Sequence, residues 1–170
     1  LTLKEKIMKT GKKGIELIKS FESLHDGDLS KIGLQPKMCP ALIWTEGYGR
    51  AMRYNGGFLK GKANKELAER LATISTESEA EKALLEDLKV YERIVLSKVK
   101  VELTQNQFDA LVSHTYNTGG SSTLFKLVNQ KESNALILNW FETKYVTGGG
   151  IRLKGLVRRR KAEADLYFTK

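Results

Sequence analysis

Residues 75–99, STESEAEKALLEDLKVYERIVLSKV, repeat apolar side chains at helical spacing over 25 residues without a glycine or proline. The apolar positions that share one helix face are Ala80, Leu84, Leu88, Tyr91 and Val95. Ser75 or Thr76 can cap the N-terminus, and acidic residues follow in the first turn, where carboxylates favour the helix dipole. This pattern predicts a long helix whose apolar face is buried, so the core is mainly helical.

Other segments carry their own helix signals. Residues 103–120, LTQNQFDALVSHTYNTGG, open with Thr104 and Gln107 at capping-box spacing and end at Gly119-Gly120. Residues 11–24, GKKGIELIKSFESL, predict a short amphipathic helix. Two shorter helices are predicted near 121–130 and 132–144, and LKGLVRRRKAEADLYF is predicted to form a terminal basic helix.

A glycine-rich and aromatic segment lies between the first helix and the long one. The loop HDGDLSKIGLQPKMCP leads into ALIWTEGYGRAMRYNGGFLKGK, where Asn55-Gly56-Gly57 predicts a hairpin turn. Near the C-terminus, TGGG is predicted to be a flexible break. We therefore predict a mostly helical α+β fold in one domain, residues 1–170. Its expected parts are an N-terminal extension (1–10), the first helix with a small β lobe (11–74), and a helical lobe (75–170).

Composition places the chain among ordinary globular proteins. It has 170 residues, of which 41% are hydrophobic and 29% are charged. No apolar run approaches the length of a membrane span, and LTLKEKIMKT is too charged for a signal peptide's apolar region. The single cysteine excludes an intramolecular disulfide. The net charge of +9 predicts attraction to polyanions such as nucleic acid, anionic lipid or a cell wall.

Metal, phosphate and nucleic-acid sites have little support in the sequence. Cys39, His25 and His114 lack the paired spacing of zinc ligands, and Gly47-Tyr48-Gly49 is not followed by the Lys-Ser/Thr of a phosphate loop. The basic run RLKGLVRRRK spreads its charges around a helix and accompanies no nucleic-acid-binding motif. We therefore expect no metal, no organic cofactor and no nucleic-acid partner.

Cys39 is open to two interpretations. His114 or His25 could activate its thiol, with Asp26 or Asp28 orienting the imidazole, as in a cysteine hydrolase. A lone cysteine is nevertheless more often a small buried residue than a nucleophile.

Glu22 is a second candidate for chemistry. It ends the first predicted helix, directly after Phe21 and before the irregular loop. A carboxylic acid beside apolar groups has a raised pKa and can protonate a glycosidic oxygen. The alternative is a helix-end glutamate in a salt bridge.

Five separated segments point to one family. IKSFES, WTEGYG, LTQNQFDALVSHTYNTGG, STLFKLVN and GLVRRRKAE resemble, in this order, segments of the phage-type lysozymes. These are the T4-like glycoside hydrolases of family 24, and the lambdoid endolysins are the closer branch. The similarity extends from about residue 14 to residue 168. It implies a lysozyme-like fold with a small β-hairpin lobe and a larger helical lobe.

The resemblance also implies catalytic residues. The family uses a glutamate on the first helix, then an aspartate and a threonine on the β-hairpin, with the aspartate six residues before the threonine. These positions correspond to Glu22, Cys39 and Thr45, so a thiol replaces the carboxylate. The implied roles are general acid for Glu22, base or charge stabiliser for Cys39, and water positioning for Thr45 through a hydroxyl that donates and accepts.

The chain departs from the family pattern at several positions. Ser23 replaces a glycine, Glu46 an apolar residue, and Arg50 the histidine that follows Gly-Tyr-Gly. The linker between the first helix and the hairpin is also longer. Strand alternation directs Glu46 away from the face of its neighbour, so we expect an ion partner there and keep Glu46, Asp26 and Asp28 as reserve bases.

The helical lobe supplies the remaining implied site residues. Asn117 is expected either to contact sugar or simply to end its helix, and Arg159 or Arg160 is expected to anchor Glu22. We treat Asn117, Arg159 and Arg160 as substrate-binding candidates.

The function implied by the resemblance is hydrolysis of the β-1,4 bond between N-acetylmuramic acid and N-acetylglucosamine in peptidoglycan. The expected protein is a monomeric endolysin without stable membrane insertion. It would leave the host cytoplasm through a holin-type pore and act on the cell wall. Two alternatives remain open: a peptidoglycan peptidase or amidase that uses Cys39 and a histidine, and an inactive relative that binds wall or another polyanion.

Overall fold

The computed structural model describes residues 8–170, so most of the predicted N-terminal extension lies outside the described residues. Its helices are α1 Lys12–Glu22, α2 Lys65–Leu71, α3 Glu77–Lys98, α4 Gln105–Thr118, α5 Ser122–Asn129, α6 Asn134–Thr143 and α7 Lys154–Tyr167, with a 3₁₀ turn at Lys62–Asn64. Its strands are β1 Lys37–Met38, β2 Trp44–Glu46, β3 Arg50–Ala51, β4 Arg53–Tyr54, β5 Gly57–Phe58, β6 Thr147–Gly148 and β7 Ile151–Arg152. The chain is thus α+β and mostly helical, as predicted.

The described residues form two compact units. The helical unit contains the chain up to Phe21 together with Leu88–Lys170, and the β-containing unit is Glu22–Asp87. The predicted boundary at residue 74 lies earlier than the observed one at Asp87, because the first turns of α3 belong to the β-containing unit. The Tyr48 hydroxyl, for example, donates to the carboxylate of Glu77, 3.4 Å away.

The helical unit is built around α4, which packs on α7, with α6 also against α7. The predicted capping box begins α4: the Thr104 hydroxyl accepts the Gln107 backbone N–H at 3.1 Å, and the Gln107 side chain accepts the Thr104 N–H at 2.9 Å. The helix ends at Gly119, whose φ of 86° is left-handed. The largest apolar side chains that are fully buried here are Phe108, Phe141, Ile18, Leu88, Leu111 and Leu124.

A buried carboxylate holds the N-terminus of α1. Asp109 accepts the N–H groups of Gly11 at 2.9 Å and Gly14 at 3.3 Å, and also the Gln105 side-chain amide at 2.7 Å. These are helix N-terminal donors without intrahelical partners, which a carboxylate satisfies. A Cβ on Gly14 would lie 2.7 Å from the Cβ of Asp109, so only glycine permits this approach. Burial raises the pKa of Asp109 above its ordinary value.

The β-containing unit has a three-stranded antiparallel sheet in the order β1-β2-β3 and a separate β4-β5 hairpin. The hairpin turns at Asn55-Gly56, both with positive φ (49° and 82°), which confirms the predicted turn. A small core of Trp44, Met52, Leu59 and Ala68 lies beneath, and Met38 and Leu67 pack against it. The sheet and α2 therefore share one apolar cluster.

The predicted flexible break at residues 147–150 is wrong. Strands β6 and β7 pair there, Thr147 with Arg152 and Gly148 with Ile151. Gly149 and Gly150 have φ values of 57° and 80°, which suit a two-residue hairpin turn. The glycine run thus forms a defined turn, because the residues on either side of it pair as β6 and β7. The composition of the run does not reveal this pairing.

Candidate active site

Glu22 is the last residue of α1 and is half-buried. Its carboxylate faces Gly49: a Cβ on Gly49 would lie only 3.1 Å from Oε2 of Glu22. Gly49 also has a φ of 98°, which favours glycine. The glycine therefore provides both the turn and the space that the carboxyl group occupies.

Ser23 explains where α1 ends. The predicted helix extends to residue 24, whereas the observed helix stops at Glu22 because Ser23 adopts a φ of 63°. This left-handed conformation normally favours glycine, the residue we expected at this position from the family pattern. The chain thus keeps the local geometry of the turn with a less suitable residue.

The loop that follows α1 is fastened to the turn between β2 and β3. The carbonyl of Gly47 accepts two hydrogen bonds from His25, one from the backbone N–H at 2.8 Å and one from Nδ1 at 2.9 Å. Because a carbonyl only accepts, Nδ1 carries the ring proton in this contact. His25 therefore positions the backbone between Glu22 and the sheet.

Thr45 lies on the central strand β2 and is 7% exposed. Its hydroxyl donates to the Lys37 carbonyl across the β1-β2 pair at 2.8 Å. The hydroxyl proton is committed in this bond, which leaves the oxygen lone pairs as acceptors. This corrects the expectation that Thr45 both donates to and accepts from a water.

Cys39 follows β1 and is half-buried. Its N–H donates to the Ile43 carbonyl, and its own carbonyl accepts the Leu42 N–H, both at 2.8 Å. These bonds close a three-residue loop, Pro40-Ala41-Leu42, in which Leu42 has a left-handed φ of 64°. A turn followed by one left-handed residue is a common way to close a hairpin of this length.

The register of the hairpin places Cys39 and Thr45 on the same face. Lys37 pairs directly with Thr45 across β1 and β2, and directly paired residues share a face. Cys39 is two residues beyond Lys37, so strand alternation brings it back to that face. The Cys39 and Thr45 side chains are therefore diagonal neighbours on one face, a relation that corresponds to a spacing of about 7–8 Å.

Glu46 points away from that face and is 5% exposed. Its Oε1 accepts the backbone N–H groups of Thr73 at 2.9 Å and Ile74 at 2.8 Å, and its Oε2 accepts the Thr73 hydroxyl at 3.2 Å. The reserve base of the sequence analysis is therefore a structural carboxylate. It joins β2 to the segment between α2 and α3.

The two other reserve bases organise the loop after α1. Asp26 accepts the N–H groups of Asp28 at 3.3 Å and Gln35 at 3.2 Å. Asp28 accepts the hydroxyl and the N–H of Ser30, which lower the pKa of its carboxyl group, and it lies 3.5 Å from the ammonium group of Lys65. Both carboxylates are engaged in holding the loop.

Arg50 replaces the expected histidine after Gly-Tyr-Gly and binds α3. Its Nε and Nη2 each donate to a carboxylate oxygen of Asp87 at 2.9 Å, and Nη2 also reaches the Ala83 carbonyl at 3.1 Å. A planar guanidinium makes this bidentate contact, which an imidazole cannot reproduce. Sequence reasoning named the replacement but not this partner.

Arg159 and Arg160 lie inside the helical unit, 3% and 0% exposed. Nε of Arg160 is 3.0 Å from Oε1 of Glu163, and Nε of Arg159 is 3.4 Å from the other carboxylate oxygen. The Ser113 hydroxyl donates to the same carboxylate at 2.6 Å. Burial raises the pKa of Glu163, while both guanidinium groups oppose that shift. The sequence analysis missed Glu163, whose signal was its spacing of three and four residues from the arginines.

Asn117 is the exposed member of this group. Its Oδ1 accepts Nη2 of Arg160 at 2.6 Å, so the amide orientation is fixed and Nδ2 is directed away from the guanidinium. Arg159 also lies 5.7 Å above the ring of Phe21, the residue before Glu22. The anchoring of Glu22 by an arginine stays a prediction.

His114, the other candidate partner of the thiol, is a core residue of the helical unit. Its ring is fully buried, with ring centroids of Trp140 and Tyr145 at 5.4 Å and of Phe141 at 5.8 Å. Burial, followed by the charges of the two buried arginines, lowers the pKa of His114 to about 3. The imidazole is neutral at physiological pH and is enclosed by aromatic side chains.

Within residues 8–170, no group of three or more His, Cys, Asp and Glu side chains is arranged to hold a metal ion. No helix of that same range has both the length and the apolar character required to cross a bilayer.

Comparisons with known proteins agree on one family. The sequence model described as phage lysozyme matches residues 29–163. The endolysin of Acyrthosiphon pisum secondary endosymbiont phage 1 is 32% identical over 167 residues, covering 94% of this chain and 98% of the relative. The endolysin of Bacillus phage B103 is 35% identical over 170 residues. That match covers 95% of this chain but 55% of the relative, so the chain spans about half of the longer protein.

Solved structures give the same result. The muramidase domain of SpmX from Asticaccaulis excentricus is 27% identical with a TM-score of 0.70, covering 95% of this chain and 99% of that one. The endolysin from Escherichia coli O157:H7 phage FAHEc1 is 31% identical with a TM-score of 0.67, covering 95% and 94%. These findings confirm the predicted lysozyme-like fold and do not favour the cysteine-hydrolase alternative. The chain belongs to the phage lysozyme family.

Proposed function

We propose that this protein is an endolysin-type muramidase that hydrolyses the β-1,4 bond between N-acetylmuramic acid and N-acetylglucosamine in peptidoglycan. The observation that carries the proposal is the position of Glu22 against Gly49, in the same compact unit as Thr45 and Cys39. Membership of the phage lysozyme family supports the reaction class.

Glu22 is the proposed general acid. In an inverting glycosidase, one carboxylic acid protonates the leaving oxygen while a group across the sugar ring activates water. The half-buried position of Glu22 at a helix end suits the acid, because the carboxyl group is held without being removed from the surface. The two bonds from His25 to Gly47 keep the backbone on either side of it in place.

Thr45 and Cys39 are the proposed water-side pair. The Thr45 hydroxyl donates to Lys37, so its oxygen accepts one proton of a water molecule. The Cys39 sulfur on the same face accepts the other proton or stabilises positive charge that develops at the sugar. With both protons of the water engaged, its oxygen lone pair is left for the anomeric carbon.

Asn117 is the proposed sugar contact in the helical unit. Because Arg160 holds Oδ1, the amide offers its N–H groups, which suit an acetamido carbonyl or a sugar hydroxyl. Arg159 and Arg160 are buried, so we assign them the role of positioning residues that act through Asn117 and Glu163.

The proposed biological setting follows from the endolysin relatives. The protein acts as a monomer on the cell wall after passing from the host cytoplasm through a holin-type pore. Its net charge of +9 supports attraction to the anionic wall.

Replacing the proposed acid tests the reaction. Glu22→Gln keeps the size of the side chain but removes the transferable proton, so we expect muralytic activity to fall by at least about 100-fold. The measurements are loss of turbidity of a peptidoglycan suspension and release of reducing ends. Glu16→Gln, at an exposed position of the same helix, is the matched control and keeps full activity. Full activity in Glu22→Gln contradicts the proposal.

Two substitutions of Cys39 separate sugar hydrolysis from thiol chemistry. Cys39→Asp restores the carboxylate of the family pattern and retains activity, whereas Cys39→Ser removes the sulfur and loses most activity. The products of the unmodified protein are new reducing ends without new amino groups. Release of amino groups together with an inactive Cys39→Asp variant would instead establish a cysteine peptidase or amidase.

A further inference from the structure

A cavity of about 620 Å³ lies within the helical unit, outside the set of proposed catalytic residues. It is formed by the last turns of α3, the glycine pair after α4, and α5. The side chains that matter here are Lys98, Lys126, Ile94, Phe125, Ser122 and Gln130. The volume is that of a typical ligand site and exceeds what a single small anion fills.

Two cations line the cavity, and none of its lining residues is acidic. Lys98 and Lys126 are exposed, and neither ammonium group lies within 4.0 Å of a carboxylate among residues 8–170. Lys31 and Lys65, in contrast, each contact two acidic side chains. Two unneutralised charges at one cavity repel each other, and a bound anion removes that repulsion.

The backbone that carries these lysines is held in place. Asn129, near the end of α5, donates from Nδ2 to the Lys98 carbonyl at 2.9 Å, and its Oδ1 accepts the Lys100 N–H at 2.6 Å. This single side chain joins the ends of α3 and α5. The two cations are therefore presented by a preformed wall, which limits the ordering that binding requires.

The remaining lining suits a polymer more than an isolated ion. Phe125 is nearly buried, and together with Ile94 it provides an apolar surface. Ser122 and Gln130 add a hydroxyl and an amide, which pair with sugar or peptide groups. The site thus combines charge, polar donors and an apolar surface.

We propose that this basic cavity is an anchoring site for the anionic polymer of the cell wall, in which Lys98 and Lys126 bind a carboxylate or phosphate group. The proposal rests on the proposed function, because that function brings the protein to the wall. A lysine ammonium group binds either anion as a point charge. The ligand chemistry that fits the whole cavity is therefore a polyanion that also has polar and apolar portions. Binding here keeps the enzyme on its substrate between hydrolytic events.

The test measures wall binding by co-sedimentation with insoluble wall at fixed ionic strength. Every chain carries Glu22→Gln so that the wall stays intact. We expect Lys98→Gln/Lys126→Gln to weaken binding at least about fivefold, a loss of about 1 kcal/mol. The matched control, Lys144→Gln/Lys154→Gln, removes the same charge at exposed positions outside the cavity and changes binding less than about twofold. Equal weakening by both pairs overturns the proposal, since general attraction would then explain it.

Three further measurements identify the anion and separate the proposed site from general charge attraction and from catalysis. Wall stripped of phosphate polymers retains the difference between the two pairs if the ligand is a peptide carboxylate and loses it if the ligand is a phosphate. A variant pair that weakens a DNA gel shift but leaves wall binding unchanged also overturns the proposal. Reducing-end release from a neutral soluble oligosaccharide, measured with native Glu22, is unchanged by Lys98→Gln/Lys126→Gln. If the native chain releases no reducing ends, the proposed function fails while the binding result is still decided.

Discussion

His114 shows how strongly burial can change the pKa of a histidine that the sequence alone allows as a catalytic base. Its Nδ1 lies 3.4 Å from the Thr118 hydroxyl, and three aromatic rings enclose the imidazole. The lowered pKa, about 3 against an ordinary 6.5, means that the folded protein holds this ring neutral. The unfolded chain has no such restriction.

This difference predicts acid sensitivity. Below about pH 6.5 the unfolded state binds a proton that the folded state rejects, so His114 lowers the free energy of unfolding by about 1.4 kcal/mol per pH unit until its folded pKa is approached. Urea unfolding of the native chain and of His114→Gln, at a series of pH values from about 6.5 to about 4, measures this slope. The variant is less stable at neutral pH, and its slope is shallower. Identical slopes in the two chains would rule out this linkage.

At the scale of single residues, the sequence analysis relied on correspondence with a family and on the local charge pattern. Glu22, Cys39 and Thr45 were assigned as site residues by their correspondence with the phage-type lysozymes, and their catalytic roles stay predictions. The burial of Arg159 and Arg160 did not follow, because a basic run ordinarily indicates a solvated helix face. Only the three-dimensional position of Glu163 reveals that two of these guanidinium groups share one buried carboxylate inside the unit.

At the scale of elements, the position of β2 depends on a contact that the sequence pattern does not predict. Glu46 accepts three hydrogen bonds from the segment that connects α2 to α3, which fixes one strand against two helices. A carboxylate accepts at both oxygens, whereas an amide presents one oxygen and one donor group.

Removing one acceptor from Glu46 tests this tether. In Glu46→Gln the amide nitrogen faces a donor, so we expect the free energy of unfolding to fall by about 1.5–3 kcal/mol. Denaturant unfolding measures the loss, and Glu142→Gln at an exposed position is the control without an effect. Unchanged stability in Glu46→Gln would show that these bonds are replaced by solvent.

Elements with explicit end signals were predicted well. The capping box of α4 and the Asn-Gly turn of β4-β5 each have a local cause, and local causes are visible in sequence. The β6-β7 hairpin was missed because two glycines permit both a defined turn and a flexible link, and only pairing of the flanking residues decides between them.

For the whole molecule, charge is the property that composition alone establishes. An excess of +9 acts over distances of about 10 Å at moderate salt and is screened as ionic strength rises. The overall fold, in contrast, came from five ordered segments that resemble one family, because no single segment specifies how helices and hairpins assemble.

Salt should therefore weaken the encounter with the wall more than the chemistry. Between about 50 and about 300 mM NaCl, we expect the initial lysis rate of a peptidoglycan suspension to fall several-fold. Cleavage of a neutral soluble oligosaccharide under the same conditions is the control and changes little. Equal salt effects on both substrates would place the dependence in the hydrolytic site itself.

The three-residue loop between Cys39 and Ile43 has a consequence for how this family can vary. The loop sets the pairing of β1 with β2, and an insertion or deletion that shifts this pairing by one residue turns every later side chain to the opposite face. Exchanging one side chain for another leaves the pairing intact. We therefore expect this hairpin to tolerate substitution of its side chains better than insertion or deletion of residues. A thiol in place of a carboxylate is a substitution of this kind.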